Sequence, residues 1–365
     1  MIRYDLDRYW SDGTRIDIFA AAEKIHATRV VNDIGKLTYS IPFNERYLDS
    51  LEKGQMIGLW RNNRHQFKTY YTLLDWRATT DERGLKKIEC YGECLNHILK
   101  SRIVAYPAGS PQAEKYGKPD NVIKAIAREN LGQDAPEERR IPNLTIEPDY
   151  DEGSQSITKG FAWRNALTVC QEVSDMTLRD TTPIYFDLFA YDLQNLRFAT
   201  FAHMVGTDRR PSTGNPTLVG EQYGNLKNAT TEWITSQEAT VIYAGGQGEE
   251  ADRVIKIAQD LDRIALSAPY GRIERFKDAR NDENEDNIQK QAEEALNEAK
   301  PFVKVRGTLS ETAGSKYDVH YNWGDFVTVE SYGVSLDCMI KEVGLTYDAN
   351  TGMESIDVKF EGVVT

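Results

Sequence analysis

The sequence lacks the features that are typical of disulfide-rich, membrane-spanning or exported proteins. Its 365 residues include only four cysteines, and these are too scattered for a disulfide framework. No apolar run approaches the roughly 18 residues that a membrane-spanning helix needs, and the charged first residues lack the apolar core of a signal peptide. We therefore expect a protein that is made in a cytoplasm and does not insert into a membrane by itself.

The chain also has fewer basic residues than acidic ones. Lysine and arginine number 44 against 57 acidic residues, which gives a formal net charge of −13. Such a chain would repel DNA and anionic lipid, so we predict no sequence-specific binding of nucleic acid. The excess of acid favours solubility, and it would also let a protein surround DNA without holding it.

Common catalytic and metal-binding motifs do not occur in the sequence. The five histidines are scattered, and neither G-x-S-x-G nor H-E-x-x-H is present. Cys90, Cys94 and His97 lie close together, but a structural zinc site needs a second pair of ligands. A glycosidase needs two carboxylates that converge on one cleft, which a sequence does not reveal. We predict no enzyme, cofactor or metal, and a carbohydrate-active enzyme or a receptor-binding module stays open as the alternative.

One segment imitates a dinucleotide-binding turn. Residues 243–253, "YAGGQGEEADR", contain the spacing G-x-G-x-x-A from Gly246 onward. A dinucleotide turn is followed by a helix whose N-terminus faces the pyrophosphate, whereas the residues that follow here alternate like a strand. We predict a glycine-rich hairpin or bulge instead. Its acidic residues are candidates for an assembly surface or a channel-facing surface: Glu249, Glu250 and Asp252.

Strand patterns dominate both ends of the chain. In residues 36–42 the alternation places Leu37, Tyr39 and Ile41 on one face. Further strands are predicted in three segments: 55–60, 67–76 and 85–90. Turn signals separate these strands, so we expect an antiparallel β-barrel or sandwich at the N-terminal end.

The middle of the chain mixes helices and strands. We predict one helix that Asp120 caps and a second helix from near Ala162, with Trp163 on its apolar face. Residues 183–201 have the pattern of a β-hairpin. A further amphipathic helix follows a polar segment and ends at Pro301.

Two distant β segments resemble each other. Gly54 corresponds to Gly324, with an offset of 324 − 54 = 270, and Gly84 corresponds to Gly352, with an offset of 352 − 84 = 268. Any two β-meanders share alternation and glycine turns, but two nearly equal offsets predict a duplicated β-domain, with these four glycines at its structural turns. A chain with two such domains presents six similar units when it forms a trimer. Such a ring can meet a six-fold structure on one side and a three-fold structure on the other.

Several passages resemble phage tail hub proteins: the baseplate hub and the hub-like N-terminal region of siphophage tail-associated lysins. They are "GKLTYSIPFNERYLDSLEKGQMIGLWRN", "IECYGECLNHILKSRIVAYPAG", "KPDNVIKAIARENLG", "VIYAGGQGEEADR" and the ending "YNWGDFVTVESYGVSLDCMIKEVGLTYDANTGMESIDVKFEG". The resemblance implies a virion protein made in the host cytoplasm, a homotrimer around a DNA channel. Its partners would be the tail tube or distal tail protein and a fibre, spike or lysin. It gives no reason to expect lytic activity.

The resemblance also implies a β-rich α+β fold with two related antiparallel, tail-tube-like β-barrel domains and α/β domains between and beside them. We expect a first barrel in residues 1–100 and an α+β domain in residues 101–217. The second barrel would comprise residues 218–260 and 302–365, with a polar segment and helix, residues 261–301, inserted in it or flanking it.

Overall fold

The computed structural model describes residues 3–19, 22–106, 109–110, 112–178, 181–248, 252–280 and 282–361. In these ranges the chain forms 21 strands and six α-helices, which confirms the β-rich α+β class. The described strands form five sheets, and none of them closes into a barrel. The prediction of two closed barrels is therefore not confirmed for the single chain.

The N-terminal elements are nearly all strands. They are β1 (Tyr4–Tyr9), β2 (Arg15–Phe19), β3 (Lys24–Val30), β4 (Lys36–Pro42), α1 (Glu45–Asp49), β5 (Met56–Arg61), β6 (Arg64–Thr80), β7 (Lys86–Cys94) and α2 (His97–Lys100). In β4 the predicted alternation is confirmed, because Leu37, Tyr39 and Ile41 are all buried.

The middle elements alternate between strands and helices. They are β8 (Ala113–Gly117), α3 (Pro119–Asn130), β9 (Leu144–Ile146), β10 (Ile157–Phe161), α4 (Ala166–Thr177), β11 (Ile184–Ala190) and β12 (Leu196–Ala202). The hairpin predicted over residues 183–201 is confirmed, since β11 and β12 pair antiparallel from Ile184↔Ala202 to Ala190↔Leu196.

The C-terminal elements are again mostly strands. They are β13 (Leu218–Gly220), β14 (Leu226–Ile234), β15 (Val241–Gly245), β16 (Ile255–Gln259), α5 (Leu261–Leu266), β17 (Glu274–Asp278), α6 (Glu285–Glu298), β18 (Phe302–Leu309), β19 (Phe326–Ser331), β20 (Val334–Asp348) and β21 (Met353–Glu361).

One large sheet joins the two ends of the chain. Its described strands follow the order β13-β19-β20-β3-β4-β7-β6-β5-β1-β2, and β21 pairs with β20 as well. The β20–β3 pair is the seam between the C-terminal and N-terminal parts. One hydrophobic core lies under both parts and includes Leu37, Tyr71, Val327 and Leu345, so the two predicted β units are continuous with each other.

Two details of the middle helices differ from the prediction. Asp120 does not cap α3, because Pro119 occupies the first helical position and Lys118 precedes it. Trp163 is 56% exposed and lies before the start of α4. There the side chain of Asn165 accepts hydrogen bonds from the backbone N–H groups of Leu167 and Thr168, which begins the helix later than the apolar pattern indicates.

A small α/β unit interrupts the C-terminal β part. Strands β16, β15 and β17 form their own sheet, and α6 packs on it through Ile288 and Ala292, against Ile242 and Ala258. The sequence predicted that β15 and β16 belong to the second barrel. In the structure their described partner strands lie in this small sheet, and α6 buries its apolar face. The unit lies between β14 and β18, which pair with each other. Within the described ranges no helix has the length and apolarity to cross a bilayer.

Candidate assembly site

The two β segments that looked alike in sequence have the same backbone geometry. Strands β5-β6-β7 form the first meander and strands β19-β20-β21 form the second. At the start of the first, Gly54 N donates to the Leu73 carbonyl over 2.9 Å, and Leu73 N donates to the Gln55 carbonyl over 2.7 Å. At the start of the second, Gly324 N donates to the Ile340 carbonyl over 3.0 Å, and Ile340 N donates back to Asp325 over 2.8 Å.

The first hairpin of each meander has the same tight turn. Asn62 and Asn63 connect β5 to β6 with φ of 50° and 63°. Tyr332 and Gly333 connect β19 to β20 with φ of 48° and 76°. Two central residues with positive φ define a type I′ turn, which suits the twist of a hairpin. The offset 332 − 62 = 270 equals that of Gly54 and Gly324.

A β-bulge lies at the same place in both long strands. The pairing with the next strand shifts between Leu73 and Asp75 in β6 and between Ile340 and Glu342 in β20. Beyond the bulge the two long strands correspond with an offset of 342 − 75 = 267. The second hairpins then turn through Gly84 (φ 80°) and Gly352 (φ 66°), so all four predicted glycines, with Gly54 (φ 94°) and Gly324 (φ 81°), adopt positive φ.

The meanders differ by a second bulge that only the first one carries. Between the pairs Gly58↔Tyr70 and Trp60↔His65, β6 advances 70 − 65 = 5 residues while β5 advances 60 − 58 = 2. The three extra residues include Phe67 with φ of 60°, an unusual conformation for a bulky residue. No pattern in the sequence predicts this bulge, because it is defined by the pairing of β6 with β5.

The seam between the two parts of the large sheet is made by backbone pairing and polar contacts. Strand β20 pairs with β3 from Glu342↔Val30 to Asp348↔Lys24. Thr346 Oγ1 lies 2.8 Å from His26 Nδ1. At this seam the long strand of the second meander, β20, therefore pairs with β3 of the N-terminal part.

A buried ion pair fixes the middle domain to the large sheet. Arg29 on β3 donates to the carboxylate of Asp187 on β11, and its guanidinium packs over the ring of Trp323. Burial alone would lower the pKa of Arg29, but the carboxylate outweighs it and the net pKa of Arg29 is raised. Asn96 Nδ2 donates to Asp187 over 3.1 Å. No sequence pattern predicts this network, because its members are far apart in the chain.

The predicted glycine-rich hairpin forms between β15 and β16. These strands pair antiparallel from Val241↔Gln259 to Gly245↔Ile255, so a strand and not a helix follows the glycines and no dinucleotide turn results. A Cβ atom on Gly246 would collide with the side chain of Ile288 on α6, so a larger residue there would require Ile288 to move. Asp252 is exposed. The other two acidic candidates, Glu249 and Glu250, lie outside the described residues.

Two of the cavities have carboxylates in their walls that form ion pairs or hydrogen bonds with other groups of the protein. A groove of about 630 Å³ crosses β20, β3, β4, β7 and β6. Its Glu89 accepts from Arg77 and pairs with Lys87, both at 2.7 Å, and these cations lower the pKa of Glu89. A glycosidase acid needs the opposite shift.

A second cavity, of about 380 Å³, contains Asp187 and Asp325. Burial raises the pKa of both carboxyl groups, which is a feature of some catalytic acids. However, Arg29 and Asn96 bind Asp187, while Asp325 accepts from the backbone N–H groups of Thr207 (2.8 Å) and Asn322 (2.9 Å). Both carboxylates therefore serve the fold. Among the described residues no group of three acidic, histidine or cysteine side chains could hold a metal ion.

Solved structures of phage tail proteins share this fold at low sequence identity. The tail protein from Neisseria meningitidis MC58 has a TM-score of 0.57 and 11% identity, over 98% of this chain and 96% of that chain. The 43 kDa tail protein of prophage MuSo2 from Shewanella oneidensis has a TM-score of 0.59 and 13% identity, over 100% and 98%. The prophage tail protein gp18 from Listeria monocytogenes EGD-e has a TM-score of 0.54 and 10% identity, over 98% and 94%. The chain thus has a phage tail protein fold.

The family follows from the sequence match. The model of the Siphovirus ReqiPepy6 Gp37-like protein family matches residues 6–360, nearly the whole chain, and the chain therefore belongs to this family of phage tail proteins. No curated protein matches the sequence. The resemblance to phage tail proteins is confirmed, and the chain belongs to a family of structural virion components.

Proposed function

We propose that this protein is a trimeric tail hub that adapts the six-fold tail tube or distal tail protein to a three-fold tip, fibre, spike or lysin component. The observation that carries this proposal is the pair of equivalent meanders in one chain. Three copies place six such units around an axis, which matches a six-fold neighbour, while the rest of each chain repeats only three times.

The proposed ring surrounds the channel through which DNA leaves. Its excess of acid, −13 for each chain, would keep DNA sliding, because acidic walls repel phosphates. We propose that part of this acid faces the lumen and that the protein neither binds a DNA sequence nor catalyses a reaction. A strongly positive lumen in the assembled ring would contradict this part of the proposal.

The purified chain tests the proposal through its mass in solution. Light scattering should give three times the 41.5 kDa of the single chain, and negative-stain microscopy should show rings. Incubation with cell-wall glycan should release no sugar above the level of a buffer control. A monomer that hydrolyses the glycan would contradict the proposal and favour a carbohydrate-active enzyme.

A further inference from the structure

An exposed aromatic pair lies on the surface of the middle domain. Trp163 is 56% exposed, and its ring stacks on the ring of Tyr106 with 4.8 Å between the centroids. The backbone of Trp163 has a φ of 52°, a conformation that is unfavourable for a bulky residue. Strained residues persist mainly where they serve a function, and packing does not account for this one, because its ring lies mostly in solvent.

Two short segments hold this pair near an exposed aliphatic side chain. Ile103 forms an antiparallel bridge with Asn165, and Val104 N donates to the Arg164 carbonyl over 2.8 Å. The side chain of Ile103 is 46% exposed. The backbone of this part is therefore fixed by hydrogen bonds, while its apolar side chains stay accessible.

Two arginine side chains border the same segment. Arg139 Nη2 donates to the Ile103 carbonyl over 2.7 Å. The Nε atom of Arg102 is buried and has no hydrogen-bond partner among the described residues. Burial and the neighbouring charge of Arg102 lower the pKa of Arg139, and the opposite effect of Glu138 is smaller. The two guanidinium groups therefore lie close enough to repel each other.

These two arginines differ from others of the middle domain in having no acidic partner. Arg128, for example, forms an ion pair with Asp149 over 2.7 Å. Neither Arg102 nor Arg139 forms an ion pair within the described ranges of the chain. A carboxylate from another molecule would relieve their repulsion and accept charge-assisted hydrogen bonds from both.

Together these side chains form one surface, which we call the aromatic–arginine surface: Arg102, Ile103, Tyr106, Arg139 and Trp163. Tryptophan, tyrosine and arginine are the residues that most often dominate the energy of protein–protein binding. We propose that this surface binds an acidic segment of another protein, in which an aspartate or glutamate stands next to an apolar residue. The carboxylate would lie between the two guanidinium groups, and the apolar side chain would cover Ile103 and the ring of Trp163.

The charge of the whole chain favours a protein segment over a polyanion. At −13 the chain repels a polymer that carries a charge on every unit, such as DNA. A peptide segment with few carboxylates meets less repulsion and offers apolar side chains beside them. The surface lies outside the large sheet and is complete in a single chain, so the inference goes beyond the hub proposal and does not depend on trimer formation.

Selection from a random peptide library tests the proposal on the full chain. The library first passes over the immobilised triple variant R102Q/R139Q/W163G, which removes peptides that bind elsewhere, and then over the immobilised wild type. Glycine adopts a positive φ freely, so we expect the variant to keep the circular dichroism spectrum of the wild type. The peptides that only the wild type retains should be enriched in aspartate or glutamate beside an aliphatic or aromatic residue.

Fluorescence anisotropy of the most frequent peptide measures the contribution of each side chain. R139Q and W163G should each weaken binding by about tenfold or more, and so should replacement of the acidic residues of the peptide by asparagine and glutamine. Two matched controls should keep the wild-type affinity. Arg83→Gln removes an exposed arginine from a turn of the large sheet, and Trp233→Ala removes a tryptophan that is 58% exposed.

Several results would overturn the proposal. They are a selection in which no peptide separates the wild type from the triple variant, retained peptides without acidic enrichment, and an affinity that survives both R139Q and W163G. An oligonucleotide that competes with the peptide at equal affinity would assign the surface to nucleic acid instead. A loss of oligomeric mass in W163G would assign it to a second copy. A monomeric wild type that binds the peptide would contradict only the hub proposal.

Discussion

At the scale of single residues, buried polar groups decide how the parts of the chain are held together. Arg29 and Asp187 form a fully buried ion pair between the large sheet and the middle domain. Asn32 adds a second contact between these parts, because its side-chain oxygen accepts from Phe186 N over 2.8 Å. Removal of one partner of such a pair is costly because the other charge stays buried. The relative position of sheet and middle domain is therefore fixed by specific contacts and not by apolar packing alone.

The stability of the fold should depend on pH through His65. This residue packs between the rings of Trp60 (5.2 Å) and Tyr70 (4.7 Å), and burial lowers its pKa to about 4. The unfolded chain, with an ordinary histidine pKa of about 6.5, binds more protons in this window. Stability should therefore be fully present above about pH 6.5 and fall as the pH drops toward 4.

Urea unfolding of wild type and His65→Gln at pH 7.5 and pH 5 measures this effect. The wild type should lose about 2 kcal/mol more than the variant between these two values, because glutamine does not titrate. The acidic residues affect both proteins alike, so the difference isolates His65. Equal losses in the two proteins would contradict the assignment.

At the scale of elements, the two meanders should respond unequally to the same substitution. Gly54 and Gly324 occupy equivalent turns with positive φ, where alanine is strained by about 1–2 kcal/mol. A Cβ on Gly54 would meet no atom within 4 Å, whereas a Cβ on Gly324 would lie 3.0 Å from Val205 Cβ. Crowding should therefore add a further cost, about 1–3 kcal/mol, to Gly324→Ala alone.

Chemical denaturation of the two alanine variants tests this ranking. Gly314→Ala is the matched control, because its φ is not positive and its Cβ would be free of contacts; it should be close to neutral. A Gly54→Ala variant as stable as the control would show that this turn tolerates a side chain. That result would contradict the predicted strain at the two equivalent turns.

Much of the element structure could be predicted from the sequence, and the failures have physical causes. The alternation in β4 and the paired glycines of the meanders are local signals, which survive in any fold that buries one face of a strand. The seam between β20 and β3, the bulge at Phe67 and the small sheet around β15 depend on partners distant in the chain. No local pattern encodes such partners, so the predicted barrel boundaries did not anticipate the continuous sheet.

The candidate assembly site was predictable only in part. The sequence shows the acidic residues of the glycine-rich hairpin, whereas the packing of α6 against Gly246 depends on contacts between distant parts of the chain. Residues 75–80 of β6 and strand β14 each have one edge without a partner strand among the described residues. No sequence signature marks such an edge, since an edge strand and a central strand can carry the same alternation.

At the scale of the whole molecule, the single chain is an incomplete sheet. Its N-terminal and C-terminal β parts are joined by one seam within the chain, the β20–β3 pair. In the proposed trimer, the two equivalent meanders of each chain would supply six similar units around the axis. The rest of each chain would repeat three times in the same assembly.

Single-particle cryo-electron microscopy of the assembled protein, reconstructed without imposed symmetry, tests this account most directly. The account predicts three copies around a central channel, with first and second meanders alternating at six positions of equal radius. A different number of copies, or first and second meanders at unequal radii from the axis, would contradict it.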